Sequence, residues 1–99
     1  MIDISKVYLR VKPTMWRWED DGERQYIIFV NRRKELVLLN PVASLIFASC
    51  NTKTKLEDIL KTLSEKYPTV SMERLEKDTK EFITHMLKTG IMEICNYGG

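Results

Sequence analysis

The feature that most constrains the fold is a change in hydrophobic periodicity at Asn40-Pro41. Before it, short runs rich in β-branched and aromatic residues are typical of strands. Asn40 is a favourable helix N-cap, and Pro41 suits the first position of a helix. We therefore predict that a strand ends and a helix begins at this point. The three predicted strands are TMWRWED (14–20), QYIIFVN (25–31) and ELVLL (35–39).

Three predicted helices follow this junction. The first, PVASLIFASC, is apolar nearly all round and is expected to be buried. Thr54 begins a capping box, Thr-Lys-Leu-Glu, which opens a second helix that ends before Pro68. The third and longest helix runs from Ser71 to Lys88, with Gly90 as its C-terminal cap.

The order of three strands and then three helices predicts an α+β fold. Short connections, including the turn at Asp21-Gly22, imply a three-stranded antiparallel sheet that is followed by the three helices. The first dozen residues fit either a short strand or an extended arm of about residues 1–13, and IMEIC (91–95) fits either a terminal strand or packing onto the core. The length allows one domain, residues 1–99.

The composition is that of a globular protein, with 43% hydrophobic and 30% charged residues. No apolar run approaches the roughly 18 residues that a membrane span needs, and the N-terminus lacks the layout of a signal peptide. We therefore predict a cytoplasmic protein that does not engage a membrane. Cys50 and Cys95 form no recognisable pattern and are predicted to be free thiols.

The charge pattern argues against nucleic acid as the ligand. Residues 1–50 hold eight basic and six acidic side chains, and residues 51–99 hold eight of each. A nucleic-acid-binding protein usually has a basic stripe, and the only candidate is Arg32-Arg33-Lys34. Because this trio lies between two apolar runs, a solvated turn is the favoured interpretation.

No constellation of catalytic residues is visible in the sequence. His85 is the only histidine, and it lies off the centre of its helix's apolar stripe, where a surface or groove-edge position is expected. The sequence has no glycine-rich phosphate loop and no metal-ligand spacing of cysteine or histidine. We therefore predict no catalytic residues, no metal and no cofactor, and a protein that is not an enzyme.

The third predicted strand raises a specific question, because it is apolar and must lie at an edge if the strand order follows the sequence. Edge strands offer unpaired backbone groups, and proteins normally blunt them with charge or proline. This strand has a charge only at Glu35. Either both of its faces are buried and the edge is merely short, or the edge is open so that a peptide can add as a further strand.

The order and spacing of several motifs resemble the PqqD family over roughly residues 8 to 94. The departures are Asn51-Thr52 where the family often has Asp-Gly, and Asp78-Thr79 where it has Asp-Val. The shared marks are Leu39-Asn40 before a helix, an aliphatic helix with Ile46 that ends near Cys50, an I..L...Y helix (Ile59, Leu63, Tyr67), and D...F....L..G (Asp78, Phe82, Leu87, Gly90).

The resemblance implies a winged-helix-like domain that recognises ribosomally made, post-translationally modified peptides. Such a domain binds the leader segment of a precursor peptide as a strand beside its own third strand and third helix, and presents the precursor to a modifying enzyme. That enzyme is a radical S-adenosylmethionine protein in pyrroloquinoline quinone biosynthesis, and a cyclase or protease in other pathways. The expected function is that of a non-catalytic peptide chaperone. The alternatives are a winged-helix nucleic-acid-binding regulator and an interaction subunit without a peptide ligand.

The predicted peptide-binding residues come from the third strand and the third helix. On a helical wheel, Thr79 lies near the centre of the apolar stripe of this helix. One margin combines apolar and polar residues, as the wall and rim of a groove require, whereas the opposite margin carries Ile83 and Leu87. We favour the first margin, which gives the set Glu35, Leu36, Val37, Leu38, Leu39, Leu75, Asp78, Phe82 and His85.

Overall fold

The computed structural model describes residues 3–95, and it confirms an α+β fold that is consistent with a winged-helix-like arrangement. Within these residues, three α-helices accompany two three-stranded antiparallel sheets, β2-β3-β4 and β5-β1-β6. The elements in chain order are a 3-10 turn (Ile4–Lys6), β1 (Tyr8–Val11), β2 (Trp16–Asp20), β3 (Gln25–Val30), β4 (Leu36–Leu38), α1 (Pro41–Ser49), β5 (Thr54–Lys55), α2 (Leu56–Lys66), α3 (Met72–Lys88) and β6 (Met92–Cys95).

The first sheet is the predicted meander, and its strand order β2-β3-β4 confirms that the third predicted strand lies at an edge. The turn between β2 and β3 is tight, because Gly22 adopts a positive φ of 93°. The carboxylate of Asp21 accepts hydrogen bonds from the backbone N–H groups of Glu23 and Arg24, which lowers the pKa of this side chain.

The second sheet was not predicted as such. The chain's first segment forms a strand rather than an arm, although residues 1–2 lie outside the described part, and residues 92–95 pair with it as β6. The predicted capping box is wrong, because Thr54 and Lys55 pair with β1 and α2 begins only at Leu56. Lys55 is the N-cap and makes no side-chain capping bond. Backbone pairing with a distant strand has therefore overridden a local helix signal.

The other two predicted helix starts are confirmed. Asn40 Oδ1 accepts a hydrogen bond of 2.8 Å from the N–H of Ala43, and Ser71 Oγ accepts one of 3.2 Å from the N–H of Arg74. Each bond satisfies one of the backbone donors that the first turn of a helix leaves unpaired. Among the helices of residues 3–95, none combines the length and apolar character of a membrane span.

The C-terminal end of α3 is a Schellman motif built on Gly90, which has a φ of 78°. The N–H of Ile91 donates to the carbonyl of Met86 over 2.9 Å, and the N–H of Gly90 donates to that of Leu87 over 3.2 Å. This geometry turns the chain sharply, so that β6 can cross to the second sheet. The predicted glycine cap is confirmed.

The junction between the first sheet and α1 is made by Ser44, which is fully buried. The N–H of Leu39 donates to the carbonyl of Ile27 over 2.9 Å. The second bond expected for this pair, from the N–H of Ile27 to the carbonyl of Leu39, is replaced by bonds to the serine hydroxyl. Ser44 Oγ accepts from the N–H of Ile27 over 2.8 Å and donates to the carbonyl of Leu39 over 3.3 Å. The hydroxyl thus replaces a ladder bond at the point where β4 gives way to the helix.

We expect Ser44→Ala to lower the free energy of unfolding by roughly 1–3 kcal/mol, because it leaves a buried N–H and a buried carbonyl without partners. The matched control is Ser49→Ala, since Ser49 Oγ donates only to the carbonyl of Leu45 in its own helix. For the control we expect a change within about 0.5 kcal/mol. Urea unfolding of both variants measures the difference, and equal losses would contradict a bridging role for Ser44.

Candidate functional site

The first sheet has two edges, and they differ in charge. The edge strand β2 carries Arg17 and Glu19, which form an ion pair, and ends at Asp20. The other edge strand, β4, has the sequence Leu-Val-Leu and no charge. Within residues 3–95, β4 pairs only with β3. Charged side chains usually protect an exposed edge from pairing with another strand. Because β4 lacks them, it is the edge whose backbone groups are available to an added strand.

The register shows which backbone groups of β4 are available. The bonded pairs Asn31–Glu35 and Ile27–Leu39 flank the pair of Phe29 and Val37. In an antiparallel ladder the bonded residues alternate, so the N–H and C=O of Val37 point toward β3. The same alternation directs the N–H and C=O groups of Leu36 and Leu38 away from β3, toward the open side of the sheet.

The side chains of this segment alternate between two environments. Leu36 and Leu38 are 70% and 61% exposed on the outer face of the sheet. Val37 points to the helical side, where it is half-buried, and Leu39 is in the core. The segment is therefore apolar on both faces, as its sequence suggested, but only one of those faces is covered.

A cleft of about 400 Å³ lies between β4 and α3, and we call it the β4–α3 groove. Val37 and Glu35 line it from the strand, and Phe29 and Ile91 are buried residues at its floor. The turn of residues 31–33 lines one end. The groove therefore runs beside the backbone groups that β4 leaves open.

The wall opposite β4 comes from the end of α3, where His85, Met86 and the C-cap residue Thr89 line the groove. These residues share one helix margin with Phe82, which is half-buried against the core. This margin is the one that the sequence favoured, and Ile83, from the opposite side of the stripe, is fully buried.

The two remaining predicted helix residues lie closer to the start of α3. Leu75 is 4% exposed and belongs to the core. Asp78 is exposed and forms an ion pair with Arg74, with a distance of 3.1 Å between Oδ2 and Nε. Neither lines the groove, so only Glu35, Val37 and His85 of the predicted set meet there.

Sequence reasoning missed the residues that close the groove. Met86 and Thr89 could have been predicted, because they follow Phe82 and His85 at helical spacing. Phe29 and Ile91 carried no such signal, since their place at the floor depends on how β3 and the chain after α3 pack together. The turn at residues 32–34 was interpreted only as solvated.

The buried thiol of Cys50 is not set up as a nucleophile. Burial raises the pKa of the Cys50 thiol to about 12, so it stays protonated at neutral pH. Both cysteines are free. No group of three or more metal-ligating side chains is found in the described part of the chain.

A second cleft, of about 430 Å³, lies between the β2–β3 turn and α2. It is lined by Trp18 and Tyr67 among charged side chains, including Arg24, which lies 3.5 Å from Asp21. No uncharged strand edge adjoins this cleft, because β2 carries the charges described above. The β4–α3 groove is therefore the better candidate for a strand-like ligand.

These features define a class of small α+β protein with one uncharged, open sheet edge beside a groove. Among protein-family models, the one described as Coenzyme PQQ synthesis protein D (PqqD) matches residues 25–92, a range that contains every residue lining the groove. The chain belongs to the PqqD family, as the motif pattern indicated, and members of this family are non-catalytic accessory proteins that bind a precursor peptide. No curated protein and no solved structure was matched.

Proline substitutions in β4 should reveal the direction of its backbone groups. We expect Val37→Pro to lower the free energy of unfolding by about 3 kcal/mol, because it removes a donor of the β3–β4 ladder. Leu38→Pro should lower it by less than about 1 kcal/mol, since proline is tolerated on an edge strand where the N–H faces solvent. Urea unfolding compares the two, and equal losses would show that the assigned alternation is wrong.

Proposed function

We propose that this protein is a peptide chaperone that binds the leader segment of a ribosomally made precursor as an added strand along β4. The observation that carries the proposal is the open, uncharged edge at Leu36 and Leu38, which runs directly beside the β4–α3 groove. Strand addition gains affinity from main-chain hydrogen bonds and specificity from pockets for alternate side chains. β4 supplies the main-chain hydrogen bonds, and the groove supplies a pocket for side chains.

The register defines how such a peptide would lie. In an antiparallel arrangement, the peptide residues opposite Leu36 and Leu38 exchange backbone hydrogen bonds with them and place their side chains on the outer face. The residue opposite Val37 directs its side chain into the groove, because successive side chains of a strand point to opposite faces. There it meets the buried side chains of Phe29, Met86 and Ile91.

The predicted site residues have different roles in this proposal. Glu35 to Leu38 form the docking edge, and His85 with Phe82 forms the facing wall. Asp78 extends the rim toward the start of α3. Leu39 and Leu75 belong to the core, so in this proposal they support β4 and α3 and do not touch the peptide.

The bound precursor would then be presented to a modifying enzyme, for which a radical S-adenosylmethionine protein is the first candidate. The chaperone itself contributes no catalytic group in this scheme. A cytoplasmic location, where ribosomes make the precursor, fits the proposal and stays a prediction.

Little in the structure favours the nucleic-acid-binding alternative. In α3, the helix that would enter a groove of DNA, Arg74 pairs with Asp78 and Lys80 pairs with Glu76. Phosphate recognition needs cations that are available to neutralise the backbone, and two of the four lysines and arginines of α3 are already matched.

The test is selection of binders from a displayed library of random short peptides, followed by amide chemical-shift mapping of a selected peptide on the labelled protein. We expect the largest shift changes at residues 35–40 and 82–91. Leu38→Pro should weaken binding by about tenfold, whereas Leu38→Ala, which keeps the backbone donor, should weaken it less. Shift changes that avoid residues 35–40 would overturn the proposal.

Asp78→Ala tests whether the rim of α3 extends to the first half of the helix. We expect affinity for a selected peptide to fall by roughly twofold to tenfold, as for the loss of one hydrogen bond. The melting temperature should barely change, because the exposed ion pair with Arg74 contributes only about 0.3–0.5 kcal/mol.

The matched control for this variant is Glu76→Ala, which removes an exposed ion pair of the same helical spacing, to Lys80, on the other side of α3. Calorimetric titration of both variants separates the two roles. Equal affinities in the two variants would confine the site to the last two turns of α3.

A further inference from the structure

The arginines of the chain divide into two groups by their partners. Four of the six form ion pairs: Arg10 with Glu93, Arg17 with Glu19, Arg24 with Asp21, and Arg74 with Asp78. The other two, Arg32 and Arg33, form no ion pair within residues 3–95, and both line the end of the β4–α3 groove. Guanidinium groups are matched elsewhere in the described chain and left unmatched only here.

Arg32 has a defined position at this end. Its side chain lies across Gly90, so that a Cβ placed on Gly90 would come within 2.5 Å of Arg32 Nη1 and 3.2 Å of Arg32 Cδ. The glycine that caps α3 is therefore also the surface on which the arginine rests. Because Cδ and the guanidinium of Arg32 both lie against Gly90, the side chain has less rotamer freedom to lose when it binds a partner.

The charge around Arg32 is predominantly positive. Arg33 lines the same groove, and Lys12 lines the adjoining cleft of about 300 Å³ that Arg32 also borders. The one acidic side chain in the groove, Glu35, accepts a hydrogen bond of 3.0 Å from Asn31 Nδ2. A carboxylate that enters this end thus meets three cations and one anion that already has a partner.

We propose that the groove selects a peptide with an apolar and an acidic residue two positions apart, and that the acidic side chain pairs with Arg32. The inference rests on the proposed function. Groove-facing residues of an added strand recur every second position, so one side chain opposite Val37 fills the apolar floor. The next, toward the turn at residues 31–34, reaches Arg32. A guanidinium offers a carboxylate two parallel hydrogen bonds, which a lysine does not.

Parallel selections from a displayed library of random short peptides test the proposal, with wild-type protein, Arg32→Gln and Lys34→Gln as baits. Lys34 lies in the same turn but does not line the groove, so its variant removes an equal charge nearby. We expect wild type and Lys34→Gln to enrich peptides with Asp or Glu two positions from an apolar residue. Arg32→Gln should enrich the apolar residue without the acid.

A double-mutant cycle then measures the pairing directly. With one wild-type-selected peptide, replacing its acidic residue by the amide should weaken binding to wild type by about fivefold, and should change binding to Arg32→Gln by less than about twofold. Arg32→Lys should recover only part of the loss. An amide spectrum of each variant confirms that it is folded.

The possible failures are distinguishable. If selected peptides map to residues 35–40 but show no acidic enrichment, or if the cycle shows no coupling to Arg32, the acidic preference is wrong and the strand-addition proposal stands. If selected peptides map away from β4, the proposed function fails, and this inference fails with it. Enrichment of acid that responds equally to Lys34→Gln would indicate general attraction to a positive surface and would also overturn the role of Arg32.

Discussion

The buried hydroxyl of Ser44 is the contact on which the shape of the site depends. It accepts a hydrogen bond from the N–H of Ile27 and donates one to the carbonyl of Leu39, so that neither group is unpaired where the β3–β4 ladder ends. An unpaired buried donor or acceptor costs free energy, and the serine hydroxyl removes that cost where the strand gives way to the helix cap at Asn40. β4 spans only Leu36–Leu38, and α1 begins three residues later at Pro41. The hydroxyl thus helps to set where the ladder ends, whereas the absence of charge at this edge is a property of the Leu-Val-Leu sequence itself.

The groove depends equally on the way in which α3 ends. Gly90 adopts a left-handed conformation that most residues avoid, and the resulting turn carries Ile91 to the floor of the groove. The same glycine lacks a side chain where Arg32 lies across it. A single residue therefore stops the helix, places the apolar floor and makes room for the cation at the end of the groove. A substitution at this position affects all three together.

The sequence predicted those parts of the fold that depend on residues close together in the chain. Asn40 and Ser71 cap helices through bonds to residues three positions away, and period-two alternation identified β2. The second sheet joins segments that are distant in the chain. No local sequence signal therefore indicated that Thr54 would pair with Leu9 instead of capping a helix.

The candidate site, too, was predictable only where local periodicity describes it. The edge strand and the favoured margin of α3 followed from periodicity, whereas the floor of the groove and the role of Gly90 required the packing of β3 against the chain after α3. Arg32 shows the limit most clearly. Its sequence context is that of a solvated turn, and only the structure reveals its place at the end of the groove, its contact with Gly90 and its lack of an ion pair within residues 3–95.

The brevity of β4 also sets what kind of binding the protein can offer. Only Leu36 and Leu38 direct backbone groups outward, so an added strand gains few main-chain hydrogen bonds, each worth about 0.5–1.5 kcal/mol net. Main-chain bonds are also indifferent to sequence, so a longer edge would bind tightly and without discrimination and would invite aggregation. In the proposed complex, with so short an edge, most of the discrimination comes from side chains in the groove, through one apolar contact and one charge. This balance suits the proposed role, in which a bound peptide has to be recognised and then released to an enzyme.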